Sequence, residues 1–114
     1  VSLGTFRRLQ TRSLYTVAAT LTTVAVYDTT GHSVVNVEIQ NPSGVDTINA
    51  QVECATDSAG PWDVMEWDGL QAILPGETRN ESFSKMGKTW IRVRAVSTGS
   101  AIPSVPVSFH MESA

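Results

Sequence analysis

The chain has 114 residues, 41% of them hydrophobic and 17% charged, with a formal net charge of -3 and an isoelectric point near 5.2. That is the size of one domain, with enough chain to bury about two thirds of its unfolded surface without a metal or disulfide, and it excludes a disordered chain. With 14 Val, 13 Thr and 5 Ile against two Lys, the composition favours strands, because stiff β-branched side chains pack better on a pleated surface than on a helix. No membrane helix is present: the longest nearly apolar run, residues 17–27, is interrupted by Thr20, Thr22 and Thr23 and falls well short of the roughly 20 residues such a helix needs. A single cysteine, Cys54, leaves no partner for an internal disulfide and fits synthesis in a reducing compartment.

Residues 1–13 carry Arg7, Arg8 and Arg12 and no acid, with Leu3, Phe6 and Leu9 spaced three apart. This segment reads as a basic N-terminal arm, either one helical turn or an extended strap, preceding a single domain over residues 14–114. From Asp28 to Glu77 there are nine acids and neither Lys nor Arg, and basic residues return only at Arg79, Lys85, Lys88, Arg92 and Arg94. The modest net charge is therefore the sum of opposed blocks, which can pair the chain's own strands or present unlike faces to neighbouring copies.

Alternation of period two dominates the rest. Shorter strands are expected at Tyr15–Ala19 and Thr22–Tyr27. Within Ser33–Gln40, Val35, Val37 and Ile39 alternate with Asn36, Glu38 and Gln40, the pattern of a half-buried strand. Ile48, Ala50, Val52 and Cys54 alternate with polar residues in a second such strand, which makes Cys54 a small inward hydrophobe rather than a nucleophile. Further short strands follow at Val64–Trp67, Leu70–Leu74 and Thr78–Phe83. Ile91, Val93 and Ala95 oppose Trp90, Arg92 and Arg94 in another strand, and Val105, Val107, Phe109 and Met111 oppose Ser108 and His110 in the last. The turns agree: Asp28-Thr29-Thr30-Gly31 and Asn41-Pro42-Ser43-Gly44 stop strands, Asp68-Gly69 predicts a two-residue hairpin, and Pro75-Gly76 predicts a type II turn. Strands separated by turns at about 8 to 12 residue intervals imply an all-β antiparallel sandwich.

The chemistry-bearing residues converge on no catalytic set. His32 falls in a turn and His110 near the C-terminus, and no G-x-S-x-G elbow surrounds any serine. The expectation is a non-enzymatic protein without a cofactor. Asp57, Asp63, Glu66 and Asp68 cluster around a Gly-Pro turn, but their spacing matches no calcium loop, so they read as a solvated acidic loop and no metal is expected. The acidic balance and the lack of a phosphate-cradling glycine loop argue against nucleic acid. Asn80-Glu81-Ser82 matches a glycosylation sequon, a short pattern that means little without secretion. Trp62, Trp67 and Trp90 are candidates for a platform on which sugar rings stack, with Trp62, after Gly60-Pro61, the most exposed in expectation.

The run Val35-Asn36-Val37-Glu38-Ile39-Gln40-Asn41-Pro42-Ser43-Gly44, then Leu74-Pro75-Gly76-Glu77-Thr78 and Trp90-Ile91-Arg92-Val93-Arg94-Ala95, resembles the strand and turn grammar of immunoglobulin-like and fibronectin type III-like sandwiches, although the antibody disulfide is missing. The combination of a small, acidic, Thr- and Val-rich, Cys-poor sandwich with a basic arm is also similar to capsid decoration, or cement, proteins of tailed bacteriophages. That resemblance implies a structural virion protein on the capsid surface, bound to the major capsid protein and associating with other copies. Phe6, Arg7, Arg8, Leu9 and Arg12 would then form the tether. The alternative is an extracellular carbohydrate-binding or adhesive module using Trp62, Trp67 and Trp90.

Overall fold

The computed structural model describes residues 8–32, 34–64, 70–84 and 88–112. These form strands β1 (Arg8–Val17), β2 (Thr22–Asp28), β3 (Val34–Gln40), β4 (Ile48–Ala55), β5 (Asp63–Val64), β6 (Gln71–Ile73), β7 (Thr78–Ser84), β8 (Trp90–Ser97) and β9 (Ile102–Glu112). They build an all-β sandwich of two antiparallel sheets, one ordered β1-β9-β3-β7 and the other β2-β8-β4-β5, with β6 also on β4.

The winding departs from the immunoglobulin-like expectation. An immunoglobulin-like sheet places consecutive strands side by side as hairpins, in the order A-B-E-D. Here successive strands switch sheets, from β1 through β4 and again from β7 through β9, and β9 returns to lie between β1 and β3. That is the double Greek key of a jelly roll. Local turn grammar is common to many sandwiches, so the quoted motifs located the turns without specifying which strands pair across them.

The inward rows are those the alternation predicts. Val35, Val37 and Ile39 of β3 meet Val105, Val107, Phe109 and Met111 of β9 in the first sheet, facing Ile48, Ala50 and Val52 of β4 and Ile91, Val93 and Ala95 of β8 in the second, all buried. The rings of Tyr27 and Phe109, one from each sheet, lie 5.9 Å apart and tie the layers together. Burial of this kind stabilises by about 25 cal/mol per Å² of apolar surface, the dominant favourable contribution to the fold.

Two turns carry specific chemistry. Asn41 ends β3 with its side chain buried: Nδ2 donates to the carbonyls of Asp46 and Ile73, each at 2.9 Å, while Oδ1 accepts from the Ser43 amide. It pins the chain where it crosses from the first sheet to the second. Gly76 has φ +80°, and the Glu77 amide donates to the Leu74 carbonyl at 2.9 Å, the type II geometry expected of Pro75-Gly76.

Three expectations need correcting. The sheet extends further towards the N-terminus than the arm boundary at residue 13, since Arg8 to Tyr15 of β1 pair with Glu112 to Val105 of β9. Thr11 and Ser13 occupy positions where an apolar alternation would have announced the strand, so its partner β9 supplies what its own sequence does not. The hairpin expected across Asp68-Gly69 is not formed by β5 and β6. Both run antiparallel to β4, Val64 opposite Glu53 and Ile73 opposite Ile48, as two pieces of one interrupted edge; Asp68-Gly69 itself lies outside the described residues. Finally, β9 begins at Ile102 and takes in Pro103 and Pro106, before the position expected. Its ladder with β3 starts only at Val107, so Pro106 has a strand neighbour on the β1 side alone, where a missing N–H is tolerated.

Candidate interaction surfaces

The outward faces of the two sheets differ in chemistry. On β8 the outward residues are Trp90, Arg92 and Arg94, and on the neighbouring β4 they are Asn49, Gln51 and Glu53, with Glu53 directly opposite Arg92 and Gln51 opposite Arg94. Arg92 Nε donates to Glu53 Oε1 at 2.6 Å, and Gln51 Nε2 donates to Glu53 Oε2. The Arg92 guanidinium also lies over the Trp62 ring, 4.3 Å from its centroid. Trp62 is set by the residue two before it: Gly60 has φ +88°, and a Cβ there would come within 2.8 Å of Trp62 Cδ1.

Glu53 is only 5% exposed although its strand parity faces it outward. The alternation alone assigns it to a solvated face. The signal that could have found it is the pairing of an acid from the negative block with a basic residue from the positive one, and using it requires the β4–β8 register. The same opposition recurs where Lys88 Nζ meets Asp63 Oδ2 at 3.0 Å. Part of the charge segregation is thus spent inside the sandwich, joining strands distant in sequence.

Two of the three candidate sugar-binding aromatics are on this side. Trp90 is half-buried, opposite Ala55 of β4 and Asp28 of β2, and Trp62 is half-buried beneath Arg92. Trp67 lies outside the described residues. Trp90 also borders a shallow depression with Val26, Tyr27, Asp28, Thr30 and His32, in which Asp28 Oδ1 accepts from the Thr30 amide and hydroxyl. His110, the other histidine, belongs to β9 in the first sheet, opposite Gln10 and Asn36.

The first sheet's outward face is a ladder of amides and hydroxyls. Asn36 Nδ2 donates to Asn80 Oδ1 and Ser82 Oγ, and Asn80 Nδ2 donates to Glu38 Oε2. The sequon residue Asn80 is therefore a rung of this ladder. At the far side of the same face, Arg12 of β1 is exposed opposite Ser108, next to the exposed Leu14.

Of the tether residues, Arg8, Leu9 and Arg12 belong to β1, whereas Phe6 and Arg7 lie outside the described residues. Of the acidic loop, Asp57 caps the Ala59 amide and Asp63 pairs with Lys88, while Glu66 and Asp68 also lie outside. Among the described residues no group of three or more His, Cys, Asp or Glu is arranged to hold a metal ion, and no helix is long and apolar enough to cross a membrane.

No family model and no curated protein sequence matches the chain. Solved structures do. The SPBc2 prophage-derived protein YomS superposes with a TM-score of 0.58 at 17% identity, covering 94% of this chain and 96% of that one. A subunit of the Bacillus endospore appendages, described as a family of disulfide-linked pili, gives 0.56 at 12% identity over 96% and 89%. A chain of infectious bursal disease virus, Gx strain, gives 0.48 at 13% identity over 95% of this chain and 32% of that one. At these identities the similarity to the first two is one of fold, and it extends over nearly the whole of each chain.

Proposed function

We propose that the protein is a non-enzymatic structural component of a virion, a decoration protein that binds the capsid surface and reinforces it. The observation that carries this reading is the end-to-end likeness to a prophage-derived protein, 94% of this chain on 96% of that one, in a jelly roll of the kind viral capsid domains use. A fold by itself assigns no function, so the site chemistry has to agree. It is compatible: the outward faces carry ion pairs and hydrogen-bonded ladders, Arg92 with Glu53 and Asn36 with Asn80 and Ser82, as a persistent surface does. A covalently linked filament, like the appendage subunits, is a poorer fit. Linking copies end to end through disulfides takes two thiols per subunit, and this sequence has one, Cys54, buried on β4.

In this reading the N-terminal part of the chain is the tether, with Phe6 burying against the shell and Arg7, Arg8 and Arg12 pairing with acidic groups of the major capsid protein; Leu9, opposite the buried Met111 of β9, belongs to the sandwich instead. No acid precedes Asp28 in the sequence, and across the β1–β9 ladder the acid opposite this segment is Glu112, at Arg8, so Arg7 and Arg12 carry most of the attraction to an acidic shell in this reading. The test is co-sedimentation with shells of the major capsid protein encoded by the same genome. Arg7→Glu combined with Arg12→Glu weakens retention about tenfold or more, and more at low salt than at high salt. Substitution is preferable to deletion of residues 1–12, which would remove half of β1. Unchanged retention by the double variant would refute the tether.

One arrangement favours a second reading, a carbohydrate-binding or adhesive module: Trp62 and Trp90 flank Arg92 on a single face, and jelly rolls also serve as lectins. Against it, the guanidinium already occupies one face of Trp62. Glycan binding that quenches tryptophan emission in the native chain, and not in Trp62→Ala, would favour this reading over the shell.

A further inference from the structure

A sandwich has four sheet edges, and here three of them are blunted. On β7, Arg79 and Glu81 stand opposite Ile39 and Val37, the core-facing positions of β3, and pair with each other at 3.6 Å. A strand added to β7 would have to accommodate these charges. The β5–β6 edge is broken into pieces of two and three residues. β1 carries Arg8 and Arg12 with no acid, so pairing it with its own copy brings like charges together. The fourth edge, β2, has no charged residue from Thr22 to Tyr27, and its Val26 is 46% exposed. A bulge at Val24 leaves Ala25–Asp28 as its regular run.

We propose that β2 is the self-association edge and that it pairs antiparallel with β2 of a second copy, joining the second sheets of the two copies into one. Charge placement selects this occupant and this direction. The acid, Asp28, lies at one end of β2, while Arg94 of the adjacent β8 stands opposite Thr23, near the other; Arg92, opposite Val26, is already paired with Glu53. Antiparallel pairing carries Asp28 of each copy towards Arg94 of the other, twice by symmetry, whereas parallel pairing sets like beside like. Val26 meets β-branched or small neighbours across the new ladder, and the uncharged edge is covered. The inference is independent of the virion reading, because it concerns the purified chain alone.

Sedimentation velocity over a range of concentrations, with hydrogen exchange on the same samples, tests it. A monomer–dimer equilibrium is expected, with the amides of residues 22–28 slowing as concentration rises and those of residues 78–84 unchanged. Val26→Glu raises the dimer dissociation constant about tenfold or more, and Val26→Thr leaves it within about threefold. The inference is overturned by a protein that stays monomeric up to millimolar concentration. It is equally overturned if β2 exchange is independent of concentration, or if Phe6→Asp dissociates the dimer and Val26→Glu does not.

Discussion

The two sheets share one inward grammar and carry opposite outward chemistries. Beneath both lie rows of Val and Ile sealed from water, but above the first sheet Asn36, Glu38, Asn80 and Ser82 trade hydrogen bonds in a half-exposed ladder. Above the second, Glu53 is almost wholly covered by Arg92, with Trp62 beyond it and Gln51 at its second oxygen. The difference teaches where polar groups contribute to stability. In a wet ladder each bond replaces one with water, and the net gain is small. Under an aromatic ring, a carboxylate stripped of water depends on its partners, and removing one of them leaves a charge in a poor solvent.

Breaking the covered cluster should therefore cost most. Glu53→Ala leaves Arg92 without its acid and lowers stability by about 2–3 kcal/mol, less than for a fully buried pair because Arg92 retains some water. The readout is the urea midpoint at unchanged m-value; a loss no larger than that of a surface substitution would show the cluster to be an ordinary exposed ion pair. Gly60→Ala is expected to lower stability by about 1–2 kcal/mol, since the new Cβ meets both a positive φ and the Trp62 ring. It should also shift tryptophan emission, and that shift should vanish in a Trp62→Phe background; if it persists there, Gly60 does not set the ring. Asn36→Ala, which removes two rungs of the first sheet's ladder, should change stability by less than about 1 kcal/mol. A loss matching that of Glu53→Ala would erase the contrast between the faces.

What the sequence made legible follows the same physics. Wherever an inward row was a strict alternation of Val, Ile or Phe, as in β3, β4, β8 and β9, strand and parity could be read directly, because burial of one face dictates which residues recur at every second position. Of β1 only the end was legible as a strand, at Tyr15–Ala19, because Thr11 and Ser13 sit in its alternating row and its place depends on β9, some ninety residues away. The jelly-roll winding escaped notice for the same reason: turn residues report where the chain reverses, not whether the next strand joins the same sheet. Among candidate site residues, the position of Trp62 after Gly60-Pro61 hinted at a shaped loop. Its partner Arg92 and the covered Glu53 became visible only with the register. The opposed charge blocks were plain in the sequence, and the structure shows that Glu53 with Arg92 and Asp63 with Lys88 consume part of that opposition within one molecule. In the proposed role, the basic residues of the N-terminal segment supply the rest of it towards the shell.

The claim that this chain reinforces a shell is tested most directly by calorimetry of shells assembled from the major capsid protein of the same genome, with and without saturating amounts of the protein. The account predicts that the shell's melting transition rises on addition, and that the rise is lost with Arg7→Glu and Arg12→Glu combined. A transition unmoved by the native protein at saturation would contradict it.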